Sequence, residues 1–199
     1  MSDSVPSPIA LSFADGDDLA HQDALPRWRL NRLVRRLELW REKQLIRKAL
    51  GLAGEPTLVL DLSRVTGRYW PVLAEHPNRV IIAAADSPAQ FEARLQRHPL
   101  PQRERIRVMQ AAALTAGFPH GAVDCVFCMQ PLDENNRRTA FLRELHRVTR
   151  DTVILAIRVD HFGSCQKDLA VAGFRLAGRF DFLPLCSARR IAVLRKYEL

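Results

Sequence analysis

Residues 57–76 have the sequence TLVLDLSRVTGRYWPVLAEH, and this segment decides the fold. Its first six residues are rich in Leu and β-branched side chains, which is typical of a parallel strand buried on both faces. A turn that contains Gly67 follows, and residues 67–76 have the character of a helix. Alternation of a buried strand with a helix builds a parallel sheet that carries helices on both faces.

The rest of the chain repeats this alternation. Further strand-like runs follow at residues 79–85, 105–110, 122–129 and 152–159. Helix-like pieces lie between them at residues 87–98 and 136–150. The last two strand-like runs, residues 173–185 and 188–197, have no helix pattern between them and predict an antiparallel hairpin at the sheet edge. We therefore expect an α/β protein, a three-layer α/β/α sandwich with a mostly parallel seven-stranded sheet and a C-terminal antiparallel hairpin.

The N-terminal part divides into an acidic and a basic segment. Residues 1–25 are rich in Ser, Pro, Asp and Gly, a composition that predicts a disordered acidic tail. Residues 27–51 predict a basic amphipathic helix, with nine basic and two acidic residues between positions 27 and 48. Its apolar residues recur every three or four positions: Leu30, Leu33, Val34, Leu37, Trp40, Leu45, Ile46 and Ala49. The predicted folded domain is residues 26–199.

Composition argues against several classes of protein. No apolar run approaches the length of a bilayer span, and the N-terminus lacks a basic region followed by an apolar stretch. We therefore expect a cytoplasmic protein without a transmembrane segment, whose four cysteines are reduced. Cys125 and Cys128 have C-x-x-C spacing, but residues three apart on a strand face opposite ways, so we predict no metal site there.

Five segments, taken in order, resemble motifs of the class I S-adenosylmethionine (SAM) methyltransferases. The first is LVLDLSRVTGRYWPVLAEH (58–76), a strand that ends in an acid and a turn that opens into a helix. The others are RVIIAAADSPAQF (79–91), FPHGAVDCVFCM (118–129), FLRELHRVTR (141–150) and AGFRLAGRFDF (172–182). The resemblance covers residues 30–196. It implies a Rossmann-like methyltransferase fold with SAM bound outside the carboxyl ends of the strands.

The resemblance also implies a set of cofactor-binding residues: Asp61, Ser63, Thr66, Gly67, Asp86 and Met129. The family's glycine positions in the first turn are, however, occupied by Ser63, Arg64 and Val65. Only Gly67 remains, although glycine is the residue that lets a backbone approach a ligand closely.

Two further contacts of the family are replaced. The acid that holds the ribose after the second strand aligns with Ala85, and Asp86 comes one residue late, which on an extended segment turns a side chain to the opposite face. The acid that usually contacts adenine aligns with Ala112. Together with the altered turn, these losses would cost on the order of 4 to 8 kcal/mol of binding free energy.

These replacements lead to our first hypothesis, a degenerate methyltransferase-fold protein or pseudoenzyme that acts as a regulatory or interaction partner and binds no cofactor. The alternative is an active SAM-dependent methyltransferase that uses Asp61, Ser63, Gly67 and Asp86 as its surviving contacts. Asp61 also has a purely structural interpretation as a cap at the strand-to-helix turn. We assign no catalytic residue, because the histidines are scattered without a recognisable spacing.

The basic helix leaves three interpretations open. It covers the sheet with its arginines in water, it binds nucleic acid or an anionic surface, or it docks an acidic protein partner. The side chains expected to make such contacts are Arg27, Arg32, Arg35, Arg36, Arg41 and Lys43. A nucleic-acid-binding module is thus a third, weaker hypothesis. The sequence leaves the methyl acceptor, the partner and the oligomeric state open.

Overall fold

The computed structural model describes residues 27–63, 67–85, 87–110, 118–129, 138–182 and 189–197. The helices in this part of the chain are α1 (Arg27–Leu52), α2 (Trp70–Leu73), α3 (Pro88–Leu95), α4 (Leu100–Arg103), α5 (Arg138–Val148) and α6 (Phe162–Val171). The strands are β1 (Leu58–Asp61), β2 (Val80–Ala85), β3 (Ile106–Gln110), β4 (Val123–Cys128), β5 (Thr149–Arg158), β6 (Phe174–Asp181) and β7 (Arg189–Lys196). The predicted acidic tail, residues 1–25, lies outside the described residues.

The seven strands form one sheet in the order β3-β2-β1-β4-β5-β7-β6. Strands β1 to β5 pair in parallel, whereas β7 is antiparallel to both β5 and β6. This arrangement confirms the predicted parallel sheet and its C-terminal hairpin, with β6 at the edge. The chain moves outward from β1 to β3 and then returns to place β4 on the other side of β1. Ligands of open α/β sheets bind at such a reversal, outside the carboxyl ends of the strands.

Apolar side chains cover both faces of the sheet, which explains why the central strands are apolar along their whole length. One cluster includes side chains of three helices: Ile46 of α1, Trp70 of α2 and Phe91 of α3. The opposite cluster includes Leu142 of α5 and Leu169 of α6. Strand residues alternate between the two, so that Val59 belongs to the first cluster and Leu60 to the second. The predicted three-layer sandwich is therefore confirmed.

Cys125 and Cys128 follow the same alternation. Cys125 lies in the cluster with Trp70, and Cys128 lies in the cluster with Leu142. Both side chains are buried, and they point to opposite faces of β4, as their spacing on a strand predicts. Burial raises the pKa of the Cys125 thiol to about 12.

The chain divides into two compact units, Met1–Leu37 and Glu38–Leu199. The described residues of the first unit, 27–37, are the beginning of α1, and the second unit contains the sheet. Within the second unit, α1 turns Leu45, Ile46 and Ala49 into the core. Trp40 belongs to the same periodic apolar pattern, yet it is 59% exposed. The pattern predicts that the segment is helical, but it does not predict which part of the helix is buried against the rest of the protein. None of the described helices combines the length and the hydrophobicity that crossing a membrane requires.

Four elements differ from the sequence-based expectation. Helix α2 has only four residues, with Pro71 in its first turn, whereas the pattern suggested a helix over residues 67–76. Helices α4 and α6 were not expected, and both are short or weakly periodic. Strand β5 begins at Thr149, directly after α5, because the polar residues that start it still pair with β4.

The connection from α6 to β6 makes a close approach to α5 at Gly173. This residue has a φ of +86°, which side chains rarely tolerate. A Cβ at this position would lie 2.8 Å from Nε2 of His146, whose ring packs against Phe174 with the ring centroids 5.2 Å apart. The turn can therefore reach the α5 surface only with glycine.

We expect Gly173→Ala to lower the free energy of unfolding by about 2 to 4 kcal/mol, from the left-handed backbone and the displaced His146 ring. Urea denaturation would measure this loss. The matched control is Gly163→Ala in α6, where the added Cβ meets no atom within 4 Å and should leave stability unchanged or raise it by about 0.5 to 1 kcal/mol. Equal effects of the two substitutions would contradict the close approach.

Candidate functional site

The carboxyl ends of β1 and β4 are adjacent and form the centre of the predicted site. Asp61, the last residue of β1, is in register with Phe127 of β4. The ladder continues one step further, because the amide of Leu62 donates to the carbonyl oxygen of Phe127 over 2.8 Å. The chain that leaves β1 is therefore held against β4 before it enters the turn.

Asp61 turns its carboxylate inward, toward the side of the sheet that carries Trp70. One carboxylate oxygen accepts the backbone amide of Ser63 over 2.9 Å, and the other accepts the indole Nε1 of Trp70 over 3.2 Å. Asp61 is only 2% exposed. Ser63 adds a link to β4, because its hydroxyl accepts the amide of Met129 over 3.1 Å. These four residues, Asp61, Ser63, Trp70 and Met129, are called the turn network below.

Burial makes the Asp61 carboxyl an unusually weak acid. Burial raises its pKa from 3.8 to about 6, although the hydrogen bonds from Ser63 and Trp70 oppose the change by favouring the charged form. The carboxylate is thus held where its ionisation is costly. Structural carboxylates and functional ones both occur in such surroundings, so acidity alone does not distinguish the two.

Gly67 serves the packing of Trp70. It has a φ of +89°, and a Cβ built on it would lie 3.3 Å from the Trp70 ring and 3.6 Å from Nε2 of His98. The indole is fully buried, and its ring centroid lies 4.4 Å from that of Phe91 and 5.4 Å from that of His98. The one glycine retained from the family pattern therefore lets the turn close over an aromatic cluster.

Helix α1 holds the same turn from another direction through Glu42, which is 4% exposed. The hydroxyl of Tyr69 donates to Glu42 over 2.9 Å, and the guanidinium of Arg68 forms an ion pair with the same carboxylate. Burial, followed by the charge of Glu42, raises the pKa of Tyr69. The Tyr69 ring packs edge-on against Phe127, with the ring centroids 5.5 Å apart. Sequence reasoning missed this contact, and its only trace is an acid within the basic helix.

The structure brings three of the predicted cofactor-binding residues together. Asp61, Ser63 and Met129 share the turn network, and Gly67 lies beside Trp70 in the same turn. Thr66 and Asp86 lie outside the described residues, as do Arg64, Val65 and Ala112. A cofactor-binding role for the predicted set, Asp61, Ser63, Thr66, Gly67, Asp86 and Met129, remains a prediction. The structural role of Asp61, Ser63 and Gly67 is visible in their contacts.

A comparison with protein families matches residues 60–157 to the family described as "Methyltransferase domain". No curated protein sequence matches the chain. Among solved structures, the chain is similar to magnesium protoporphyrin IX methyltransferase of Synechocystis PCC 6803, determined with bound SAM. That comparison has a TM-score of 0.62 and 15% identity, and it covers 79% of this chain and 80% of the other.

Two other structures have the same architecture. The methyltransferase domain of the bacterial protein CtHen1-C superimposes with a TM-score of 0.61 and 18% identity, over 79% of this chain and 98% of the other. The fibrillarin pre-rRNA processing protein of Methanococcus jannaschii superimposes with a TM-score of 0.54 and 14% identity, over 70% of this chain and 66% of the other. The sheet order and these similarities agree that the chain has the fold of the class I SAM-dependent methyltransferases, and its residues 60–157 match a methyltransferase domain.

Proposed function

We propose that this chain is a non-catalytic member of its family, which acts by binding a partner rather than by transferring a methyl group. The observation that carries the proposal is the orientation of Asp61. Both of its carboxylate oxygens accept hydrogen bonds from the protein itself, and the side chain is buried. An acid held in this way can serve as a cap of the turn, and this supports a structural role for Asp61.

The other described residues of the turn do not fit SAM well either. The hydroxyl oxygen of Ser63 accepts a hydrogen bond from the amide of Met129, and Gly67 faces Trp70. Helix α2, which follows the turn, has only four residues, so few aligned peptide dipoles contribute to a positive end that could attract an anionic group. The sequence adds Ala85 and Ala112 at positions where the family has acids. Loss of such hydrogen bonds to charged groups costs about 1.5 to 3 kcal/mol each.

The competing function is that of an active SAM-dependent methyltransferase, and the family match over residues 60–157 favours it. In that case Asp61, Ser63, Gly67 and Asp86 would be the surviving cofactor contacts. The two functions make opposite predictions about SAM, which can be tested directly on the purified protein.

The partner surface proposed for a non-catalytic role is the basic helix α1. Within the second unit, Trp40 is 59% exposed and Lys48 is also exposed, so an aromatic anchor and a positive charge are accessible there. Acidic protein surfaces and nucleic acids both suit this chemistry. Salt would weaken both kinds of binding, and an affinity for RNA or DNA that is insensitive to salt would remove the electrostatic basis of the nucleic-acid hypothesis.

We expect SAM, or its demethylated product, to leave the melting temperature unchanged when added near 1 mM. A ligand with a micromolar Kd would stabilise the folded state by about 4 kcal/mol at that concentration and raise the melting temperature by several degrees. Differential scanning fluorimetry measures the shift, with the Synechocystis methyltransferase as the positive control. A shift of several degrees in this chain would overturn the non-catalytic proposal.

The structural role of Asp61 predicts a characteristic pH dependence of stability. The folded state retains a proton up to about pH 6, whereas the unfolded state releases it near pH 4, so this group destabilises the fold as the pH rises through that window. Relative to Asp61→Asn, the wild type should therefore lose about 3 kcal/mol of unfolding free energy between about pH 4 and pH 7. Urea denaturation across this range measures the difference.

Asp124 provides the matched control. It accepts hydrogen bonds from the Thr57 hydroxyl over 2.8 Å and the Leu58 amide over 2.9 Å, and Arg150 lies 2.8 Å away. Burial opposes the change, but these groups together lower its pKa. Relative to Asp124→Asn, the wild type should gain stability as the pH rises through the acid range, opposite in sign to Asp61. Parallel pH curves for wild type and Asp61→Asn would show that Asp61 is not buried as described.

A further inference from the structure

Strand β6 forms one edge of the sheet. Among the described residues its strand neighbour is β7 alone, so the backbone amides and carbonyls along its outer edge are not paired with another strand there. The register with β7 shifts between Leu176 and Gly178, and such a bulge bends a strand locally. From Gly178 to Asp181 the register is regular again. This second half of β6 therefore offers an ordered outer edge, which is a template for pairing with another chain.

Two opposite charges stand on this regular part of β6, one on each side of Phe180. The guanidinium of Arg179 lies 5.9 Å from the ring centroid of Phe162, on the face that carries α6. Asp181 is two residues further along the strand, so its side chain is on the same face. It forms an ion pair with Arg190 over 2.6 Å, and the guanidinium of Arg190 lies 5.6 Å from the same ring. Arg179 is exposed, and the side chain of Asp181 is 44% exposed.

We propose that β6 pairs with β6 of a second copy of this chain, in an antiparallel register centred on Phe180. A two-fold axis at that position places Arg179 opposite the partner's Asp181 and Asp181 opposite the partner's Arg179. Opposite charges directly across two strands attract, so one face of the joined edge carries two such pairs. On the other face, where Phe180 packs against the cluster that includes Trp70, the two Phe180 rings meet. Main-chain hydrogen bonds between the two edges provide the rest of the attraction.

The same charges act against the neighbouring registers. A pairing centred on Arg179 would place two guanidinium groups directly opposite each other, and one centred on Asp181 would oppose two carboxylates. The pairing centred on Phe180 is therefore favoured over both. Asp181 keeps its ion pair with Arg190 in this arrangement, because a carboxylate has two oxygens and can accept a second guanidinium. This inference goes beyond the proposed function and does not depend on it, since it concerns neither the β1 turn nor α1.

Sedimentation equilibrium of the full chain, at concentrations up to about 0.2 mM, tests the proposal, and we expect a reversible equilibrium between monomer and dimer. Arg179→Asp would place a carboxylate opposite the partner's Asp181 at both symmetric positions, and it should weaken dimerisation roughly tenfold or more. The matched control is Arg175→Asp, which makes the same charge change on β6 before the bulge and should alter the Kd by less than about threefold. Both variants lower the net charge of +8 equally, which by itself favours association.

A second variant, Asp181→Arg, supplies the complementary charge. Arg179→Asp and Asp181→Arg should each dimerise poorly alone, whereas an equimolar mixture of the two should form a heterodimer, because opposite charges then face each other again. Circular dichroism melting establishes that each variant folds. Arg179→Asp leaves the ion pair between Asp181 and Arg190 in place, so it tests the proposal even if loss of that pair unfolds the second variant.

A chain that stays monomeric over the whole concentration range would overturn the proposal. A dimer that tolerates Arg179→Asp, or that Arg175→Asp weakens to the same extent, would overturn it as well. Folded Arg179→Asp and Asp181→Arg chains that do not associate when mixed would contradict the register centred on Phe180. A SAM-induced rise in melting temperature bears on the proposed function and leaves these results unaffected, so the two proposals fail separately.

Discussion

The turn after β1 depends on one buried carboxylate. Asp61 joins the end of β1 to the first residue of α2 through Trp70, and Ser63 joins the same turn to Met129 after β4. Because the carboxylate lies in the core, its ionisation is costly and must be supported by these donors. Removal of either donor would leave a buried charge with fewer partners, so Asp61 constrains which residues can occupy positions 63 and 70.

The same turn is also fixed from α1, through Glu42 and its contacts to Arg68 and Tyr69. The two sets of contacts meet at Phe127, which pairs with Asp61 along the sheet and packs against Tyr69. The described residues on the two sides of this turn, 61–63 and 67–70, are held by buried polar groups, and moving them would leave polar atoms unpaired.

The fold could be predicted from sequence because buried parallel strands are continuous apolar runs, and β1, β2, β4 and β5 are recognisable from their residues alone. The exposure of Trp40 could not be predicted, since a helical period does not report what covers each side. The inward orientation of Asp61 could not be predicted either, because a carboxylate that caps a turn and one that faces a ligand occupy the same position in the sequence. Trp70, whose indole decides that orientation, had only the character of an apolar helix residue.

The carboxyl ends of the parallel strands lie along one edge of the sheet, and the polar groups after β1 differ in exposure from those at β5 and β7. At β1 the polar groups bind each other within the core, so their hydrogen-bonding capacity is directed inward. At β5 and β7 the register partners Arg158 and Arg189 are exposed to solvent. If a fold loses cofactor contacts at one end of this edge, the scaffold that aligns the strand ends still persists, because the apolar clusters maintain it independently of any ligand.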